Sequence, residues 1–292
     1  MHRVIQLALL PVVAIAALWG APRRYDVTAL VLSVDRPHRT FTASCSDIPG
    51  YMPPMVMPFS VRDSRLLDGL QPSVFVDFTL VVDSKDSYVD SIHVHAYQNF
   101  EQEPLRARRL ELLDRINSTS PPGHVAELGE KIGDFTLTDQ LGKPVALSQF
   151  TGKVVAISFF YTSCPLPNYC FRLSNNLGQV RRRFASRMGN DLVLLSITFD
   201  PVHDRPDVLA KYAAIWKADP QSWHFLTGPV EEVRTVCRRF GMNFWPEEGQ
   251  MTHSLHTVVI DREGKLSANF EGNEFTAQQL GDFIQTELRP KK

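Results

Sequence analysis

The stretch Val154–Cys170, VVAISFFYTSCPLPNYC, constrains this chain more than any other. Val154 to Phe160 is a run of mostly apolar and β-branched residues. It predicts a strand buried on both faces, inside a sheet that helices cover. Tyr161–Thr162–Ser163 ends the run. Cys164 and Cys170 come next, with Pro165 and Pro167 between them, and Phe171 to Phe184 has helical spacing. Two thiols therefore sit on the loop where a buried strand gives way to a helix. The unpaired N–H groups and dipole at a helix N-terminus stabilise thiolate. The arrangement suits redox chemistry or soft-metal binding.

The elements around this stretch alternate in type. Phe135–Leu137 and Val145–Leu147 flank a turn at Asp139–Lys143 and predict a hairpin. Leu192–Thr198 is a second buried strand, closed by Phe199–Asp200–Pro201. Pro206–Ala218 predicts a helix with proline at its start. Trp223–Leu226 is a short extended piece and Val230–Phe240 is helical. Leu255–Ile260 and Leu266–Phe270 predict a hairpin around Asp261–Gly264, and Thr276–Leu288 a closing helix. Strands alternating with helices give an α/β sheet covered on both faces. A cysteine pair at the end of its early parallel strand is the thioredoxin-like layout.

Cys164 and Cys170 are separated by five residues. By themselves they support a structural disulfide, a redox pair or a metal site. A metal needs a third ligand from elsewhere, and QMTHSLHTVV supplies the best candidate. His253 stands just before a strand and His256 within it. A residue at the loop edge can swing toward the cysteines, so position favours His253. Thiolate plus imidazole suits copper in either oxidation state. Asp200 and Asp204 either fix a ligand from behind or cap the strand and helix. His203 reads as solvated, and Cys237, inside a helical pattern, as a buried small residue.

The first half differs in kind. Arg3 precedes an apolar run from Val4 to Ala21, and Arg23 and Arg24 lie just after it. Residues 1–24 read as an export signal, with Ala14–Ile15–Ala16 as an A-x-A cleavage pattern, or as an uncleaved membrane anchor. The remainder is then expected in the periplasm or elsewhere outside the cytoplasm, where cysteines can be oxidised. The net charge of −1 provides no global field for nucleic acid, and Arg181–Arg183 reads as a solvated helix face. Pro104–Ile116 reads as a short helix and Asn117–Gly123 as a linker. The expected division is 25–97, 98–124 for the helix and linker, and 125–292.

Val27–Val34, Thr40–Ala43, Met57–Val61, Ser73–Val82 and Tyr88–His95 predict short strands, hence a small OB-like β-barrel. Among them lies SCSDIPGYMPPMVMPF. Met52, Met55 and Met57 fall within six residues, out of seven methionines in the chain. Prolines 53, 54 and 58 hold the segment extended, so Met55 and Met57 point to one side. Thioethers select Cu(I), and Cys45 adds a thiol. The same methionines also read as core filler. His93 and His95 share a strand face, read as polar surface in preference to a metal site.

Two families are recognisable in these residues. From Val27 to about Val94, VLSVD, IPGYMPPMVMPF and VRDSRLLDGLQPSVFVDFTLVV resemble the CusF-like periplasmic copper-binding domain. The resemblance implies copper held by Met55 and Met57, with Met52 as the extra ligand and Cys45 where the family has histidine. From Val125 to Leu288, IGDFTLTDQLGKPVALSQFTGK, FFYTSCP, LLSITFDPVHDRPDVLAKYA, WHFLTG and DREG resemble the Sco/SenC family of thioredoxin-fold copper proteins. That resemblance implies copper bound by Cys164, Cys170 and His253. It implies Asp200 and Asp204 as the family's acidic loop, and the dinuclear copper centre of cytochrome c oxidase as recipient. The family usually separates its cysteines by three residues and places proline after the second. This chain has CPLPNYC and then Phe171.

The reading is an exported copper metallochaperone, Cu(I) or Cu(II) its cargo, with a copper-accepting protein and a thiol-disulfide reductant as partners. A thioredoxin-like oxidoreductase cycling Cys164 and Cys170 is the competing enzyme reading. Copper buffering or resistance is a third.

Overall fold

The structure, a computed structural model, describes residues 22–84, 86–95, 112, 124–247 and 250–290. The leader and nearly all of the predicted helix and linker at 98–124 lie outside the described residues. Among the described residues no helix is long and apolar enough to cross a membrane.

The first sheet contains β1 (Arg23–Asp35), β2 (Thr40–Cys45), β3 (Met55–Ser60), β4 (Phe75–Val82) and β5 (Ser87–Val94). All pairings are antiparallel, in the order β3-β2-β1-β4-β5. A bridge between Val61 and Val89 joins the two edges and gives the barrel-like closure. Alternate residues turn inward: Val27, Ala29 and Val31 pack with Phe41, Ala43, Phe59, Val76 and Phe78. β1 starts four residues before the predicted Val27, because Arg23–Asp26 pair with Thr79–Val82 although they are polar.

The second sheet has β8 (Val154–Phe160), β9 (Leu192–Thr198), β10 (Trp223–Leu226), β13 (His256–Ile260) and β14 (Leu266–Glu271), ordered β10-β9-β8-β13-β14. β8, β9 and β10 run parallel; β13 and β14 are antiparallel. Every residue of β8 and β9 is buried, as their apolar runs require. The flanking helices are α1 (Arg172–Arg183), α2 (Pro206–Ile215), α3 (Val230–Arg239) and α4 (Ala277–Glu287). Pro206 opens α2. Thr276 and Gln279 form a capping box at α4. Two small hairpins complete the unit. β6 (Thr136–Thr138) and β7 (Pro144–Ala146) were expected. β11 (Phe244–Glu247) and β12 (Gln250–His253) were not.

The two sheets are in direct contact through β1, β2 and α4. Leu30 and Leu32, on the outward side of β1, belong to the second core, so β1 is buried on both faces. Ser44 Oγ donates to Asp282 Oδ2 at 2.8 Å, and Arg183 Nη2 donates to Asp282 Oδ1 at 2.7 Å. Arg183 is therefore more than a solvated charge. Ser73, at a left-handed φ of 72°, donates its hydroxyl to the Asn269 carbonyl at 3.0 Å.

Asp282 is buried and joins three elements. Asp282→Ala leaves Ser44 Oγ without its acceptor and should cost about 2 kcal/mol in urea unfolding. Asp282→Asn, which keeps an acceptor oxygen, should cost less. Equal stability in all three proteins would mean that the contact adds nothing to folding.

Candidate metal centre

β8 delivers the cysteine loop to the carboxyl edge of the parallel strands, where α/β sheets place their ligands. The loop begins at Tyr161–Thr162–Ser163 and continues through Pro167–Phe171, a kinked segment leading into α1. Tyr169 interrupts it with φ −109° and ψ −108°. The five residues between the cysteines thus run through a kink, and Cys170 sits in that segment just before α1. Cys164 and Cys170 are free thiols within hydrogen-bonding reach of each other.

The two sulfurs are unequal. Cys164 is half-buried and Cys170 is 1% exposed. The hydrogen bond from Cys170 pulls the Cys164 thiol down to about 6; burial opposes this, and Tyr161 adds to it. The same bond, together with burial, drives Cys170 well above the usual thiol range. Cys164 is thus the more acidic and more accessible sulfur of the pair, and Cys170 its buried partner.

His253 ends β12, so the unexpected β11–β12 arm is what carries it. Its ring lies 4.7 Å from Phe199 and 5.9 Å, edge-on, from Tyr161, centroid to centroid. Nδ1 is 2.8 Å from the Ser254 carbonyl oxygen. A carbonyl only accepts, so in the neutral ring Nδ1 carries the proton and Nε2 the lone pair that a metal would use. Among the described residues no three His, Cys, Asp or Glu side chains gather closely enough to hold a metal ion. The structure puts both thiols on one loop and sets His253 against the ring of Tyr161, at the start of that loop. Sequence reasoning passed over Tyr161. Its place directly after β8 and three residues before Cys164 was the signal.

Asp204 sits behind the loop, 1% exposed. It accepts from Thr162 N at 3.0 Å, from the Thr162 hydroxyl and from Thr198 Oγ1 at 2.5 Å. Its carboxylate is spent on fixing the loop to the end of β9. Asp200 accepts from Nδ1 of the exposed His203 at 2.9 Å. His256 is a core histidine: Nδ1 is 2.9 Å from Asn269 Oδ1, and burial lowers its basicity. Cys237 is fully buried in α3, which raises its thiol.

The second set of soft donors lies on β2 and β3. Cys45 is directly opposite Met55, and Ala43 opposite Met57, so these side chains share a face. Met55 is 42% exposed, whereas Cys45 is 2% exposed. Met52 and Met57 pack partly against the barrel core, so they fill space as well as offering sulfur. Burial pushes the Cys45 thiol up to about 12. His95 Nε2 is 2.8 Å from Asp77 Oδ2, a surface pair that His93 meets ring to ring at 5.4 Å.

Comparison with known proteins places both halves. Residues 24–94 match the family described as copper binding periplasmic protein CusF, and residues 125–289 match SCO1/SenC. A SCO1 protein homolog of Bacillus subtilis is 26% identical over 153 residues, 51% of this chain and 78% of that protein. Protein SCO2, mitochondrial, of Saccharomyces cerevisiae is 27% identical over 203 residues, 64% of each. The crystal structure of a SCO1/SenC family lipoprotein from Bacillus anthracis superposes with a TM-score of 0.50 at 24% identity, covering 56% of this chain and 97% of that one. That likeness establishes the thioredoxin-like fold of the second unit. The SCO1/SenC match takes in more than half of the 292 residues, and the chain belongs to the SCO1/SenC family.

Proposed function

We propose that this protein is an extracytoplasmic copper metallochaperone with its transfer site at Cys164, Cys170 and His253. The observation that carries the reading is the pair of free thiols, one half-buried and one buried, on the loop at the carboxyl edge of a thioredoxin-like sheet. Thiolates and an imidazole are the donors that copper takes in preference to hard cations. Copper here is cargo. His253 reaches it by movement of the β11–β12 arm or of the cysteine loop.

The donors Met52, Met55, Met57 and Cys45 serve as a first Cu(I) site, in keeping with the copper-binding family that this segment matches. Two soft-donor sets in one chain favour copper more strongly than either alone. The recipient is a copper-accepting subunit of cytochrome c oxidase, the target that the Sco/SenC resemblance implies, and a thiol reductant keeps the cysteines ready. Residues 1–24 direct export or anchor the chain.

A second reading is favoured by the inequality of the thiols. An exposed thiolate above a protonated partner is what attack on a disulfide requires. Such exchange would reduce a partner's cysteines before metal loading, so the two activities share one site.

The full chain should bind two Cu(I) ions. Cys164→Ser with Cys170→Ser should retain one, and His253→Ala should weaken the second-unit site by roughly 10- to 100-fold. Competition titration against a chromophoric Cu(I) chelator reads all three. Unchanged affinity in His253→Ala would remove the histidine from the site, and tight retention against a copper acceptor would favour buffering.

Alkylation of the metal-free protein by iodoacetamide should concentrate on Cys164. Thiolate is the nucleophile, so the rate should be half-maximal near pH 6 and fall as the pH drops below it. Peptide mass mapping across pH 5–9 measures this. A midpoint near that of an ordinary thiol, about 8.5, would show that Cys170 does not support the Cys164 thiolate.

A further inference from the structure

The two faces of β2 serve different neighbours. Phe41, Ala43 and Cys45 turn into the barrel core, while Ser44 turns out to Asp282 of α4. Met57 and Met55 stand opposite Ala43 and Cys45, so they lie on the inward face too. The barrel's sulfurs are therefore on one side of β2 and α4 is on the other. The strand is held that way round. Leu30 and Leu32 bury the outward face of its neighbour β1 in the second core. The Ser44 carbonyl accepts from Gln279 Nε2 at 3.4 Å. Ser73 Oγ donates to the Asn269 carbonyl at 3.0 Å and accepts from Asn269 N at 3.2 Å. A cleft of about 550 Å³ remains between the units, with Cys45 on its barrel wall and Arg172, Asn175 and Gln179 on the wall facing it. A guanidinium and two amides are not donors that Cu(I) takes.

We propose that the barrel site and the cysteine site of one chain do not exchange copper with each other, and that Cu(I) captured on the barrel passes to Cys164 and Cys170 of a second copy of the chain. This rests on the metallochaperone reading and names the partner of its first step. In that step the bonds from copper to the barrel sulfurs break as bonds to the cysteine sulfurs form. Thiol protons go to water and no electron moves. Such exchange needs a donor from each site on the ion at once. Joining two sites in one chain speeds it only where both can engage together. In this chain β2 turns the first donors inward, and its ties to α4 keep them there. Two copies are free of that limit. Met55, 42% exposed, lies with the exposed Tyr51 and Val56 at the barrel site, and Leu166 and Phe171, 42% and 52% exposed, flank the cysteines. Two different apolar rims, one at each site, fit a head-to-tail contact between copies. The net charge of −1 sets little repulsion against it.

The full chain tests this without a substitution. With Cys164 and Cys170 held as their disulfide, one equivalent of Cu(I) is loaded on the barrel and counted by chelator titration. A phosphine and water then reduce the disulfide to two thiols, and the phosphine leaves as its oxide. Protection of Cys164 from iodoacetamide, read by peptide mass mapping, reports the arrival of copper. Transfer between copies is bimolecular, so tenfold dilution should lengthen the half-time about tenfold. A second experiment puts the two sites on different chains. The copper-loaded donor carries Cys164→Ser and Cys170→Ser. The metal-free acceptor carries Met52→Leu, Met55→Leu and Met57→Leu, swaps that keep side-chain volume. The pair should transfer at the wild-type rate.

A half-time that dilution leaves unchanged overturns the proposal, because the ion would then pass within a chain or through free solution. Absence of transfer in concentrated wild-type protein overturns it as well. So does a mixed pair that fails to transfer although its acceptor still takes up one Cu(I) supplied directly. If the disulfide-held chain takes up no Cu(I), the barrel is not a copper site and the proposal falls with that reading. The chelator titration records that failure before any transfer begins, so it is distinct from a wrong route.

Discussion

The buried carboxylate of Asp204 is the interaction on which the cysteine site depends. Two parallel strands, β8 and β9, end side by side, and nothing in their ladder fixes the course of the chain past those ends. Asp204 joins the two ends by accepting from Thr162 on one and Thr198 on the other. A carboxylate withdrawn from water is costly unless its lone pairs are taken up. Three donors supply that, and all three belong to the strand ends. Satisfying the charge and placing the loop are therefore the same event. Cys164 starts two residues beyond a fixed point, and its sulfur can be held in register with that of Cys170.

Beyond that anchor the loop is held by weaker constraints. It has more residues between its cysteines than is usual for the family, and a looser loop would separate the sulfurs. The kinked segment Pro167–Phe171 leads directly into α1, and side-chain ties hold it there. Asn273 Nδ2, bonded to the Asn168 carbonyl, and Arg172, bonded to that of Glu274 at 3.1 Å, tie the same turn to the loop before α4. Because α4 also carries Asp282, which accepts from Ser44, the cysteine loop and the methionine-bearing barrel rest on one helix.

Residues whose burial is nearly complete are the most legible in the sequence. VVAISFF and LVLLSIT have no polar face to expose, so their strands can be read directly. Pro206 at a helix start is equally plain. The β11–β12 arm is not legible. FWPE and QMTH show no alternation, and a two-stranded ribbon depends on what it packs against. The arm therefore hides how His253 is carried, although the sequence does place that histidine beside a strand. Tyr161 is hidden for a related reason: its ring continues the apolar pattern of β8, and only the fold reveals that it packs against His253. The polar start of β1 escapes a local reading because pairing with β4, a long-range contact, holds it extended.

The inequality of the two thiols reconciles the copper and redox readings. Cu(I) transfer by ligand exchange needs a sulfur that an incoming protein can reach and one that it cannot, so that the metal is never released to water. Disulfide exchange needs an accessible thiolate and a protected thiol to resolve the mixed disulfide. Both demands describe Cys164, half-exposed and thiolate-forming, above Cys170, buried and protonated. What separates the activities is the third donor. On the proposed reading, Cys164 and Cys170 alone make a redox pair, and His253 would complete a copper site.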